Sequence, residues 1–412
     1  MKSFFDAYPK LIFKLALLIA LLSVSYNVYY YYITLSPDFP LSSSGVYTGS
    51  FFLIDAIMFI IGGWLADRSN DVKTGLLWAG AAFFLGTMLG MIHTQWAYLL
   101  SAVLVCGGLS MFTVLCYLHV AVLYPVATDL KDNAFLILLL AVDAAYFLVN
   151  ILSGLVYQLI EEPISLFLQF SIIALLLVIV YRSENIGYAV EEEEEEEENE
   201  NESPADWRIL IAATALHTIL LLGVTNIPLL GSAAPDYISY ESPLIYIVSL
   251  GLLVVYLVLI FWIFRSAEST SRQLPKLIWG LGLLIAVGIL EVIVRGSNSF
   301  ELDTIADQSI GWIYKLMLIP ALLSVITHVN FTKNAGLWLG LLLGLPQVIN
   351  FFSGRLGGDM LLILISLVLI IAAFIWLRQN QDWVRDLLRL NESNQEVEEV
   401  LPEEDPFDHL IG

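Results

Sequence analysis

Apolar residues run almost without interruption through twelve stretches of this chain, and polar residues gather in the short gaps between them. The stretches cover approximately 11–34, 46–66, 75–93, 97–123, 133–158, 164–182, 207–228, 242–264, 276–296, 310–330, 334–352 and 358–378. Crossing a hydrocarbon core about 30 Å thick takes roughly 17–25 apolar residues in a helix. A backbone in lipid must satisfy its own hydrogen bonds, so each span is expected to be helical. The pattern predicts an all-α membrane protein with about twelve transmembrane helices. The first stretch follows Lys2, Lys10 and Lys14 but is longer than the apolar core of a secretory signal and has no small-residue cleavage site, so it reads as a retained span.

Composition agrees with the pattern. The 412 residues are 58% hydrophobic and 14% charged, with a mean hydropathy of +0.79, whereas soluble domains carry about 25% charge. The net charge of −22 is concentrated outside the spans: 184–206 holds twelve acids and 379–412 holds ten, of forty in all. Such like-charge runs stay solvated, so Glu191 to Glu198 reads as a linker, with a calcium site or a docking site for a basic protein partner as the competing reading. Beyond the last span, Trp383, Val384, Leu387, Leu388 and Leu390 read either as a short interfacial helix or as the end of that span. Cys106 and Cys116 share one apolar stretch, which excludes a disulfide framework and zinc spacing; no metal or cofactor is expected.

Basic residues set the orientation, because short cytoplasmic loops retain Lys and Arg. With the N-terminus inside, fifteen of the eighteen basic residues fall on the cytoplasmic side, and only Arg295, Lys315 and Arg355 do not. Losing one span would reverse every later loop, so this asymmetry supports the twelve-span count. It predicts a multi-pass protein of the cell (inner) membrane with both termini cytoplasmic. The longest loop lies midway, which divides the chain into a six-helix half at 1–182, an acidic linker at 183–206, a second six-helix half at 207–378 and an acidic tail at 379–412.

Between spans two and three stands Gly62-Gly63-Trp64-Leu65-Ala66-Asp67-Arg68, followed by Lys73-Thr74-Gly75. Small residues let two helices approach closely, and an acid at a helix end can meet a neighbouring helix dipole. This segment resembles the loop signature of the major facilitator superfamily, G-x-L-x-D-R-x-G-R-K, with Gly63, Asp67, Arg68 and Lys73 matching. Asn70 and Asp71 stand where that signature has glycine and a base. The resemblance implies a transporter fold of two six-helix halves, in which these four residues help hold the outward-facing state. A narrower resemblance, to the proton-coupled oligopeptide transporters, rests on GGWLADR, on Asp129 to Phe135 leading into span five, on Tyr146 and Asn150 within it, and on Thr332 to Gly336. The acids and arginine that this family carries on span one are absent from Ser23 to Tyr29, and its span-four lysine is absent from Gly107 to Val114.

Ionisable groups inside a membrane are costly and mark functional positions by default. Asp55 on span two, Asp143 on span five and His217 on span seven are the candidates for proton coupling, with helix packing as the alternative. Tyr26 and Asn27 on span one, Tyr146 and Asn150 on span five, and Asn226 on span seven offer hydroxyls and amides to a solute cavity. Glu291 and Arg295 share a helical face and, with Lys315 on the same outer side, read either as an outer gate or charged-substrate site or as a self-neutralising pair. No phosphate loop, HExxH or GxSxG motif occurs, so no catalytic residue is assigned and an enzyme is not expected. The acidic tails would repel nucleic acid. The expected function is secondary transport of a small organic solute, with di- or tripeptide and proton symport the best guess. The competing readings are a carrier for a non-peptide solute and a transport-inactive scaffold or receptor.

Overall fold

The computed structural model describes residues 10–35, 45–68, 71–92, 94–124, 129–151, 163–183, 243–265, 273–295, 309–329, 335–356 and 360–385. Every element among them is helical. In chain order these are α1 Lys10–Leu35, α2 Gly45–Asp67, α3 Val72–Leu89, α4 Gln95–Leu123, α5 Asp129–Ile151 and α6 Pro163–Arg182. Then follow α7 Pro243–Arg265, α8 Gln273–Arg295, α9 over 309–329, α10 Ala335–Leu356 and α11 Met360–Gln379. They coincide with eleven of the twelve expected spans. The seventh, 207–228, lies outside the described residues, as do most of the acidic linker and tail. After α11 the chain bends at Asn380 and continues helically over 381–385.

Helix starts follow from local chemistry. Asp71 caps α3 by accepting from the backbone N–H groups of Lys73 (3.0 Å) and Thr74 (3.1 Å), and Thr94 caps α4 through Ala97 N–H. Five segments are long and apolar enough to cross a membrane by length and composition: Lys10–Tyr29, Val72–Leu89, Trp96–Leu123, Gln273–Leu290 and Ser309–Thr327. Large apolar side chains point outward all round the bundle, among them Trp96 at 81% exposure and Trp78 at 70%. In water such a surface would be a liability, whereas lipid solvates it at no cost.

Helices in a bilayer gain little from burying more hydrocarbon, so close approach of backbones does much of the work. The tightest seam joins α2 to α10. A Cβ on Gly63 would strike the Gly336 carbonyl, one on Gly340 the Phe59 carbonyl, and one on Gly344 would lie 2.6 Å from the Ala56 carbonyl oxygen. The α10 glycines recur every fourth residue and so line one face. Within the first six helices, α3 packs on α4, α4 on α2, and α1 on α5 and α6; α8 packs on α9 and α11. The first six helices therefore meet the later ones along α2 and α10 and again along α5 and α9.

Helix α9 is interrupted. Residues Tyr314–Leu318 form a π turn, closed by the Ile319 N–H donating to the Tyr314 carbonyl five residues back. Pro320 follows directly and lacks the N–H that an α-helix would direct at the Leu316 carbonyl, and its ring crowds that oxygen. The wide turn accommodates the missing bond and sets the direction of Lys315.

Candidate functional site

Two sequence-flagged charges meet inside the bundle. Lys315 Nζ of α9 is ion-paired with Asp143 Oδ1 of α5, and the Tyr256 hydroxyl of α7 donates to Asp143 Oδ2 at 2.5 Å. All three side chains are buried. At 1.5 Å per residue, Asp143 lies about 21 Å along α5 from Asp129, and Lys315 about 21 Å along α9 from Val329, so the pair sits well inside the membrane thickness. Below it, the Tyr256 and Trp312 rings pack at 5.6 Å between centroids, within an apolar cluster that includes Leu136 and Leu316. In such surroundings a charge is tolerated only with a close partner. Lys315, which the sequence sets beside Glu291 and Arg295 on the outer side, is paired with Asp143. Glu291 and Arg295 fall within α8, and their side chains lie outside the described residues.

A second set of contacts crosses between the same groups of helices at the end that carries the basic loops. Asp67 at the close of α2 accepts from the Gly336 (2.6 Å) and Leu337 (2.7 Å) N–H groups that open α10, a carboxylate against unsatisfied donors and a positive dipole end. Lys276 of α8 bridges Asp129 Oδ1 (2.7 Å) and Asp132 Oδ2 (2.6 Å) of α5, and the Gln273 amide donates to Asp132 Oδ1 at 3.3 Å. The other motif residues stay local. Arg68 lies over the Trp64 ring at 3.9 Å, Lys73 lies 5.8 Å from the Tyr181 ring of α6, and Gly63 belongs to the α2–α10 seam.

Asp55 is buried on α2, and its Oδ1 has no hydrogen-bond partner. Asn27 spends its side-chain N–H on the Ser23 carbonyl of its own helix at 2.8 Å. Tyr26 is partly buried against the core. Tyr146 and Asn150 lie on α5 with side chains outside the described residues, and His217 and Asn226 lie outside them altogether. No group of three or more His, Cys, Asp or Glu side chains suited to a metal occurs among the described residues.

Sequence reasoning missed Tyr256 and Lys276. Tyr256 is a single hydroxyl midway along an apolar span, a weak but legible signal. Lys276 reads in the sequence as one more basic loop residue, because nothing in one sequence says which acids it faces.

The comparisons bear on the fold. A scan against protein-family models finds no match, and no curated protein matches. Solved structures do match over nearly the whole chain. A bacterial homologue of the iron transporter ferroportin, in an outward-facing state, is 15% identical with a TM-score of 0.63, covering 90% of this chain and 99% of that one. The human organic anion transporter MFSD10 is 13% identical with a TM-score of 0.64, covering 90% and 100%. A peptide transporter, POT, in complex with alafosfalin is 14% identical with a TM-score of 0.59, covering 92% and 96%. The chain adopts the major facilitator fold: an all-α membrane protein of about twelve helices in two six-helix halves.

Proposed function

We propose that this protein is a secondary transporter that moves a small organic solute across the cell (inner) membrane by alternating access between its halves, 1–182 and 207–378, tethered by 183–206. The observation that carries the reading is the buried Asp143–Lys315 bridge, backed by Tyr256, where the two halves meet deep in the membrane. A purely structural bundle gains little from such a pair, since two buried charges lose hydration that their attraction barely repays, whereas a transporter needs polar groups at its midplane. The basic end is the cytoplasmic one, and its closure by Asp67 on α10 and by Lys276 on Asp129 and Asp132 fits an outward-facing state.

Di- or tripeptide remains our choice of solute, supported by the partial motif resemblance and by the peptide transporter among the neighbours. Proton symport goes with it. Asp55 is our proton carrier, because a buried carboxyl with an unpartnered oxygen is tolerated in hydrocarbon far better neutral than charged. A non-peptide carrier is the second reading, favoured by neighbours named for iron and an organic anion. The deciding experiment is uptake of labelled di- and tripeptides by proteoliposomes, with and without an inward proton gradient. Gradient-driven uptake that Asp55→Asn uncouples from the gradient supports the reading in full. Uptake of other solutes only replaces the peptide assignment, and no uptake of any solute by folded protein favours a scaffold or receptor.

A further inference from the structure

We infer that the Asp143–Lys315 bridge with Tyr256 is a binding site for a zwitterionic solute, whose ammonium takes the place of Lys315 at Asp143 and whose carboxylate takes the place of Asp143 at Lys315. The inference rests on the transporter reading and deepens it. Asp143 belongs to α5 in the first half, while Lys315 and Tyr256 belong to α9 and α7 in the second. Any motion that parts the halves at this depth pulls the carboxylate away from both donors and separates the two charges. The surrounding wall offers little relief. Tyr256 and Trp312 pack ring against ring with Leu136 and Leu316 beside them, so the local dielectric is low and each charge needs a partner in place.

The charge ledger then selects the ligand. An anion entering alone leaves the site with a net negative charge, and a cation leaves it net positive. A neutral polar molecule supplies neither charge. A zwitterion splits the bridge, meets both ends, and leaves the site at zero net charge with no second ion required. The two partners are also built to receive it. The Tyr256 hydroxyl stays with Lys315 in the same half and can turn from Asp143 to an incoming carboxylate, and the π turn fixes Lys315 at a point where wide turns commonly mark functional positions.

The test is thermal unfolding of the purified full-length protein in detergent, at neutral and mildly acidic pH, against four classes of probe. These are zwitterions (leucine, alanyl-alanine, γ-aminobutyrate), anions (lactate, succinate), cations (choline, putrescine) and neutral solutes (glucose, glycerol). A concentration-dependent rise in Tm with at least one zwitterion and with no other class is expected, since a ligand bound to the native state stabilises it by mass action. Acetylating the amine or amidating the carboxylate of that ligand abolishes the rise. The double variant Asp143→Asn/Lys315→Gln keeps the shape, removes both charges and gives no rise. Tyr256→Phe, which keeps both charges, weakens binding about tenfold. A rise with anions, cations or neutral solutes only, or a zwitterion response unchanged in the double variant and in Tyr256→Phe, overturns the inference while leaving transport intact. A rise with lactate or succinate confined to acidic pH does the same and points to an anion entering with a proton. No response to any class, from protein that unfolds cooperatively, overturns this inference and leaves the transporter reading to the uptake experiment.

Discussion

Asp143 and Lys315 are each poor membrane residues and together a tolerable one, which makes their variants informative. Asp143→Asn takes the paired carboxylate away from the buried Lys315 ammonium and is expected to destabilise the protein by about 3–5 kcal/mol. The double variant Asp143→Asn/Lys315→Gln removes the charge along with its partner and is expected to unfold within about 1 kcal/mol of the parent, since replacing both members of a buried pair is often neutral. Denaturation in detergent distinguishes the two, and equal losses would mean the pair does not form. Outside the membrane, Asp71 offers a milder case. Burial raises its carboxyl, but the Thr74 hydroxyl, the Lys73 and Thr74 N–H groups and the Lys73 charge outweigh that and hold it below the ordinary 3.8. Its cap therefore stabilises the fold above that value and is lost as pH falls through the lowered one. Asp71→Ala is expected to cost about 1 kcal/mol at pH 7 and much less near pH 2, read from the unfolding midpoint at each pH. Asp143 is legible in the sequence as a charge within an apolar run. Its partner is not, because Lys315 looks equally suited to Glu291 until the helices are placed.

At the scale of elements, spacing along one helix is legible and contact between helices is not. Gly63 announced a close approach but not its partner, and the recurrence of Gly336, Gly340 and Gly344 acquires meaning only when α10 is seen against α2. The π turn in α9 is a sharper example. Pro320 in an apolar run signals a break of some kind, yet the extra residue in Tyr314–Leu318 is a matter of register that hydropathy cannot express. Its consequence is testable. Deleting Met317 restores an ordinary α turn and swings Lys315 about 100° around the helix relative to the residues after it. The variant is expected to lose the bridge and to be destabilised by about 3–5 kcal/mol, the same as breaking the pair by substitution. Adding Asp143→Asn to the deletion is expected to change little more, because the interaction is already gone. Additive losses would show that the π turn does not position Lys315.

Among the described residues, the contacts that cross between the first six helices and the later ones differ in kind. The central bridge holds charges deep in the membrane. The seam of glycines runs inward from the basic end as far as Ala56, whereas the two clamps sit at the basic end itself, where water is close, so the clamps can break and reform at lower cost. The asymmetry of basic residues marks that end in the sequence, because it reports on topology; it does not reveal that Asp67, Asp129 and Asp132 reach across it, since acids carry little topological information. If these clamps hold the cytoplasmic side shut, weakening both should open it while the centre stays paired. A probe cysteine at Leu337, in a chain with Cys106→Ser and Cys116→Ser, sits beside the Asp67 contact. In sealed, oriented vesicles it is expected to react slowly with an impermeant maleimide and at least about tenfold faster once Asp67→Asn and Lys276→Gln are added, the change expected from losing about 1.4 kcal/mol or more of closed-state preference. Labelling should come only from the face that also exposes the chain termini. Fast labelling of the parent would mean that the basic end is already open, and labelling from the opposite face would invert the topology on which the transport direction depends.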